Sequence, residues 1–137
     1  MQEVIPFNRP HRLTVQSLSD ERCEVALPFR LRNLNHVGTM HACALATAAE
    51  YASGLCVLSA FGVGHVRLVM ANMQISYSRR GDSRCVAEAE LPSEMLQHVQ
   101  TQLNDDGRCA FELHSVVRDA ADEVVAEAQI TWHLKAL

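Results

Sequence analysis

"NHVGTMHACALATAAEYASG", residues Asn35 to Gly54, decides how the rest of the chain is read. It opens as a polar turn and becomes an alanine-rich run whose one carboxylate is Glu50. Alanine and leucine favour helix, and the Thr39 hydroxyl can accept from the N–H of His41 or Ala42 at the start of one. The helix is expected to continue to about Phe61, where Gly62 and Gly64 end it. Such a rod is ~30 Å long at about 1.5 Å per residue. Apart from His41 and Glu50 it carries no charge or potential charge, so it should be surrounded on most sides. A membrane span is disfavoured by the Ala, Ser and Thr content, the central acid and the lack of basic flanks.

Amphipathic runs lie on either side. Leu13 and Val15 alternate with polar residues in Arg12–Leu18, and Cys23, Val25, Leu27 and Phe29 do so in Arg22–Phe29, with Ser19-Asp20 as the turn between them. After the helix, Val69, Ala71, Met73, Ile75 and Tyr77 alternate with Met70, Asn72, Gln74 and Ser76. Arg79-Arg80-Gly81-Asp82 turns the chain, and Cys85–Leu91 resumes the pattern against Glu88 and Glu90. Ser93 can cap a short helix with Leu96, Val99 and Leu103 on one stripe, ended by Gly107. Two long strands close the chain. Cys109, Phe111, Leu113, Ser115 and Val117 define one, and Val124, Ala126, Ala128, Ile130, Trp132 and Leu134 the other. The order is β-β-α-β-β-α-β-β: an α+β fold whose six-stranded antiparallel sheet curls around one buried helix, with residues 1–137 as a single domain.

Composition narrows the function. The chain is 48% hydrophobic and 20% charged, ordinary for a globular protein, and its net charge of −4 offers no basic field for nucleic acid or an anionic membrane. The opening Met1-Gln-Glu-Val lacks the basic and apolar stretches of a signal peptide. Cys23, Cys43, Cys56, Cys85 and Cys109 are odd in number, scattered and without a CxxC pair. That argues against a disulfide framework or a metal site and for the cytoplasm.

A long, small-residue helix wrapped by an antiparallel sheet resembles the hotdog fold. The string Asn35-x-x-Gly38-x-x-His41-Ala42-Cys43 resembles the Asn-x-x-Gly-x-x-His-Gly-Gly signature of phenylacetic-acid-degradation-type acyl-CoA thioesterases, in which an Asp or Glu follows the His by nine positions, as Glu50 does here. "NMQISYSRRGD", Asn72 to Asp82, is similar to the strand and turn that follow the helix in that family. The likeness runs from about Pro6 to Leu134, and the helix near Ser93–Asn104 is similar to a subgroup of the superfamily without assigned function. There are three departures. His-Gly-Gly is His41-Ala42-Cys43 here, Met70 stands where some members place a serine or threonine, and the acid is Glu rather than the commoner Asp. The resemblance implies hydrolysis of an acyl-CoA or related thioester, with no cofactor beyond the coenzyme A of the substrate. It assigns Asn35 to positioning the attacking water or the acyl carbonyl, His41 to the loop or the thioester tunnel, and Gly38 to the substrate side.

The chemistry has its own requirements. Hydrolysing a thioester needs a donor for the developing oxyanion and a group that activates water. The Ala42 N–H, in the first turn of the helix, has no intrahelical partner and sits at the positive end of the helix dipole. Glu50 has Ala46, Thr47, Ser53 and Gly54 as neighbours at i−4, i−3, i+3 and i+4. All are small, so the carboxylate faces a space that Thr47 and Ser53 would line, and desolvation there would raise its pKa. The plain alternative is a Glu at a solvent-facing stripe. Ala42 and Glu50 stand eight residues apart, or ~12 Å along one axis, too far to meet on one thioester. Two antiparallel helices about a twofold axis bring each start to the other's middle, so a homodimer is the minimal unit. The resemblance implies the same, and often a tetramer of two dimers.

Arg79 and Arg80 could meet the phosphates of coenzyme A or simply solubilise a sheet edge. Cys43 as a nucleophile is the lesser reading beside a small core thiol, and His36, His41 and Cys43 do not make a metal-ligand set. Two other functions compete with hydrolysis: a non-catalytic module that binds an acyl or aromatic ligand, and a dehydratase acting on a hydroxyacyl thioester.

Overall fold

The structure, a computed structural model, describes residues 5–19 and 21–137. The reading of the first four residues and the Asp20 half of the Ser19-Asp20 turn lie outside the described residues. Six strands and two helices follow one another as β1 (Thr14–Leu18), β2 (Arg22–Leu27), α1 (Ala42–Phe61), β3 (Val66–Tyr77), β4 (Cys85–Glu90), α2 (Ser93–Asp106), β5 (Arg108–Arg118) and β6 (Val124–Ala136). Short 3-10 turns occupy Pro6–His11 and Leu31–Asn33. The strands form one antiparallel sheet in the order β1-β2-β4-β5-β6-β3, which leaves β1 and β3 as its edges. α1 packs against β2, β3, β4, β5 and β6, so the sheet wraps it in the hotdog arrangement.

Alternation in the sequence becomes burial in the sheet. Along β5, Cys109, Phe111, Leu113, Ser115 and Val117 are buried; along β6, Ala126, Ala128, Ile130, Trp132 and Leu134 are. They meet Ala48, Ala49, Ala52, Leu55 and Cys56 of α1, whose small side chains let the helix lie close to the strands. α1 is long and apolar enough to cross a membrane by length and composition alone, yet most of it is buried inside the sheet. α2 is the opposite kind of helix, burying only Val99 and Leu103 and ending at Gly107 with φ 75°, a left-handed conformation that favours glycine.

Four local expectations need correction. β2 stops at Leu27 because Pro28 lacks the N–H needed to continue the ladder, and Phe29 is 41% exposed. β3 contains a bulge: Met70 pairs with Trp132 and Asn72 with Thr131, so Ala71 is the extra residue and the alternation changes phase. Val66 and Leu68 therefore turn inward before the bulge and Met73 and Ile75 after it, while Val69 and Tyr77 are exposed. Ser93 is the first residue of α2 rather than its cap; Pro92 takes that position, without a side-chain hydrogen bond. Thr39 does not cap α1 either, for a reason that belongs to the site.

Candidate active site

The approach to α1 is a loop closed on itself. A bridge pairs Leu34 with Met40, and the Asn35 side chain braces what lies between. Asn35 Oδ1 accepts from the N–H of Val37 and of Thr39, each at 3.0 Å, and Nδ2 donates to Thr39 Oγ1 at 2.8 Å. Gly38 sits in this loop at φ 80°, a conformation L side chains rarely adopt. With Thr39 engaged by Asn35, the cap passes to His41. Its Nδ1 accepts from the Cys43 N–H at 2.9 Å, which leaves Nε2 to carry the ring proton, and its own N–H donates to the Asn33 carbonyl at 2.8 Å. Asn33 is fully buried and spans the N-terminal turn, Nδ2 donating to the carbonyls of His11 and Pro28.

The first turn of α1 is open to solvent at His41, Ala42 and Cys43. The Ala42 N–H has no hydrogen-bond partner among the described residues, whereas the next N–H, that of Cys43, is taken by His41. Position is therefore sharply defined: a single free donor at the positive end of a long helix. The next peptide along the helix is held too. Tyr77, at the end of β3, donates its hydroxyl to the Ala42 carbonyl at 2.8 Å. Burial pushes the Tyr77 phenol up, with the nearby Cys43 adding to it, so the ring keeps its proton. The turn after Tyr77 docks on the same helix start: Met40 N–H donates to the Gly81 carbonyl at 2.8 Å, and a Cβ on Gly81 would lie 2.9 Å from that of Met40. Arg79 and Arg80 are carried with this turn. Arg79 Nη1 lies 3.4 Å from Glu123 Oε2, an exposed pair, while Arg80 makes no ion pair among the described residues.

Glu50 stands two turns further along the helix, half-buried, without a hydrogen bond or ion pair among the described residues. Burial pushes its carboxyl above the ordinary carboxylate range, because the charged form loses hydration with nothing to replace it. Of the neighbours expected to line its space, Ala46 and Thr47 are half-buried on the open side, and Thr47 Oγ1 donates to the Cys43 carbonyl at 2.7 Å. Ser53 and Gly54 lie elsewhere. Ser53 is fully buried and accepts from Trp132 Nε1 at 2.6 Å, and a Cβ on Gly54 would come within 3.3 Å of the same indole. This corrects the assignment of Ser53 to the substrate side: the sheet curls over that face of the helix and the indole fills it.

Tyr77, Asn33 and Gly81 were not legible as site residues. Tyr77 reads in the alternation as an inward strand residue, and only the contact between strand end and helix start gives its hydroxyl a role. Among the described residues no three His, Cys, Asp or Glu side chains gather as a metal set.

A family described as "Domain of unknown function (DUF4442)" matches residues 1–134. No curated protein matches the chain in sequence. Among solved structures, a Pseudomonas aeruginosa protein of unknown function, described as a probable thioesterase, is 26% identical at a TM-score of 0.90, over 99% of this chain and 91% of that one. A thioesterase from Haemophilus influenzae is 14% identical at a TM-score of 0.77, over 96% of this chain and 83% of its own. A substituted form of another Pseudomonas aeruginosa thioesterase is 15% identical at a TM-score of 0.80, over 99% and 89% respectively. These likenesses agree with the hotdog architecture of the chain.

Proposed function

The chain belongs to the family described as a domain of unknown function, DUF4442, and within it we propose that this protein hydrolyses acyl-coenzyme A or a related acyl thioester. One observation carries the reading: a half-buried Glu50 shares a helix with the Ala42 N–H, and neither has a hydrogen-bond partner among the described residues. The 26% likeness to a protein described as a probable thioesterase supports it.

Glu50, its proton affinity raised by burial, takes a proton from water as the oxygen attacks the thioester carbonyl. The oxyanion is held by the Ala42 N–H, and Tyr77 anchors the adjoining peptide through the Ala42 carbonyl. Collapse breaks the C–S bond, and the thiolate leaves with the proton held by Glu50. Attack by the carboxylate itself, through a mixed anhydride, is the other route; label from water appearing in Glu50 after a single turnover identifies it when water opens the anhydride at the Glu50 carbonyl. The two groups are ~12 Å apart on one helix, so the working unit is a homodimer in which Ala42 of one protomer faces Glu50 of its partner, with a tetramer as a further assembly. Arg79 and Arg80, on the turn docked at the helix start, are the residues that would meet phosphates of coenzyme A. His41 and Asn35 act through the loop, setting where the helix begins, with Gly38 supplying the turn and Thr47 the wall beside Glu50. The compartment that goes with this reading is the cytoplasm.

The test is release of free thiol from short, long and aromatic acyl-coenzyme A substrates by wild type and Glu50→Gln. Loss of turnover with Glu50→Gln supports hydrolysis. Equal measurable rates would remove Glu50 from the reaction, and no turnover with tight acyl binding would convert the protein into a ligand-binding module. That second reading is favoured by one observation: both acceptor sites of Asn35 Oδ1 are already used within its own loop.

A further inference from the structure

Three cations stand side by side on the outer face of the sheet, opposite the face that wraps α1. The register puts Arg67 of β3 and Arg108 of β5 directly across from Lys135 of β6, the only lysine in the chain. Cross-strand partners have Cβ atoms on the order of 5 Å apart, and like charges placed so destabilise a sheet. All three are exposed, and none makes an ion pair among the described residues. The other end of the same face is built differently: Arg22 lies between Glu24, at 3.0 Å, and Glu88, both of them ion-paired to it. One outer cation thus has two carboxylate partners, and a row of three has no ion pair among the described residues.

The row forms the floor of a groove of about 760 Å³. His133, two residues before Lys135 on the same face, extends the floor, and the end of α2 supplies a wall with Gln102 and Asp106. The volume is within the roughly 300–1,000 Å³ of small-molecule sites. Neighbouring guanidinium and ammonium groups in a cleft recognise phosphate oxygens, while an amide and a carboxylate opposite them hydrogen-bond hydroxyl or amino groups. We propose that this groove binds a small molecule carrying a diphosphate next to a hydroxyl- or amino-bearing group, as in a nucleotide, with Arg67, Arg108 and Lys135 on the phosphates and Gln102 and Asp106 on the remainder. A short row of three cations on a chain of net charge −4 suits a compact anion rather than a polymer. The site does not require thioester hydrolysis. Only its occupation by coenzyme A rests on the function proposed above.

Calorimetric titration of Glu50→Gln protein with inorganic pyrophosphate, ADP and coenzyme A tests it independently of turnover. Pyrophosphate and ADP should bind in competition, more weakly as salt rises, and lose about tenfold in affinity for each of Lys135→Ala and Arg108→Ala. Pyrophosphate should also raise the melting temperature of the intact row and not that of the doubly substituted protein. Coenzyme A displaces ADP if the groove, rather than the Arg79–Arg80 turn, takes the nucleotide end of the thioester, and leaves ADP bound if the ligand is a free nucleotide. Absence of pyrophosphate and ADP binding to the intact row, or affinities unchanged by both substitutions, overturns the assignment.

Discussion

The two halves of α1 treat polar groups in opposite ways. In the second half Ser53 is fully buried, and its hydroxyl meets the indole N–H of Trp132 at 2.6 Å, so both polar groups are satisfied inside the core. In the first half the Ala42 N–H is free, and Glu50 is half-buried with no partner among the described residues. The same apolar helix therefore holds a sealed end and an end left chemically open. A fold that can pair a serine with an indole so closely does not lack the means to pair a carboxylate. The open end reads as a site and the sealed end as its foundation.

Substitutions can break that contrast, beginning with the open end. Glu50→Gln keeps the size and removes the base, and thiol release should fall by about 10²- to 10⁴-fold. Its melting temperature should hold or rise, since a half-buried charge without a partner is removed. A falling melting temperature with unchanged turnover would reverse the roles assigned to the two halves. At the sealed end, Ser53→Ala leaves the Trp132 N–H buried without an acceptor and should destabilise by about 1–3 kcal/mol in denaturant unfolding. Its kcat should change little.

Between the halves stands Tyr77. Tyr77→Phe removes one hydrogen bond to the peptide next to the Ala42 N–H, so kcat should drop a few-fold to about tenfold with KM nearly unchanged. A shift in KM alone would assign Tyr77 to substrate binding.

The smallest effect is in pH dependence. Because burial raises the Glu50 carboxyl, the folded chain keeps that proton to higher pH than the unfolded chain. Below the ordinary carboxylate range both states are protonated and the contribution to stability is complete. As pH rises through the ordinary range to the raised value, the unfolded chain releases its proton first and stability declines. Chemical denaturation across that window should show this decline in wild type and not in Glu50→Gln. The acid limb of kcat/KM should likewise lie above the ordinary carboxylate range.

Much of this contrast could be read before the structure. The Ala-rich run around a single acid predicted a buried helix, and clean alternation along β5 and β6 predicted which faces the sheet would bury. What escaped depends on contacts distant in sequence. Helical spacing put Ser53 and Gly54 beside Glu50, but only the curl of β6 over the helix decides that Trp132 fills that side. The bulge at Ala71 changes the phase of β3, and no residue pattern there announces it. Thr39 has the chemistry of a cap, yet Asn35 captures its hydroxyl and hands the role to His41. Nor does any local signal show that Arg67, Arg108 and Lys135 share one rung.

In the proposed mechanism Glu50 of one protomer and the Ala42 N–H of another serve one thioester. Ala42→Pro removes that N–H at the first helical position, where proline is favoured, and His41 already has the extended φ −65° and ψ 138° a following proline requires. Neither Glu50→Gln nor Ala42→Pro should hydrolyse acyl-coenzyme A alone. Dissociated and reassociated together in equal amounts, they should recover about a quarter of wild-type thiol release, because half the dimers are mixed and each mixed dimer rebuilds one of two sites. A mixture as inactive as its parts, in which mixed dimers have formed, would rule out a site shared between protomers.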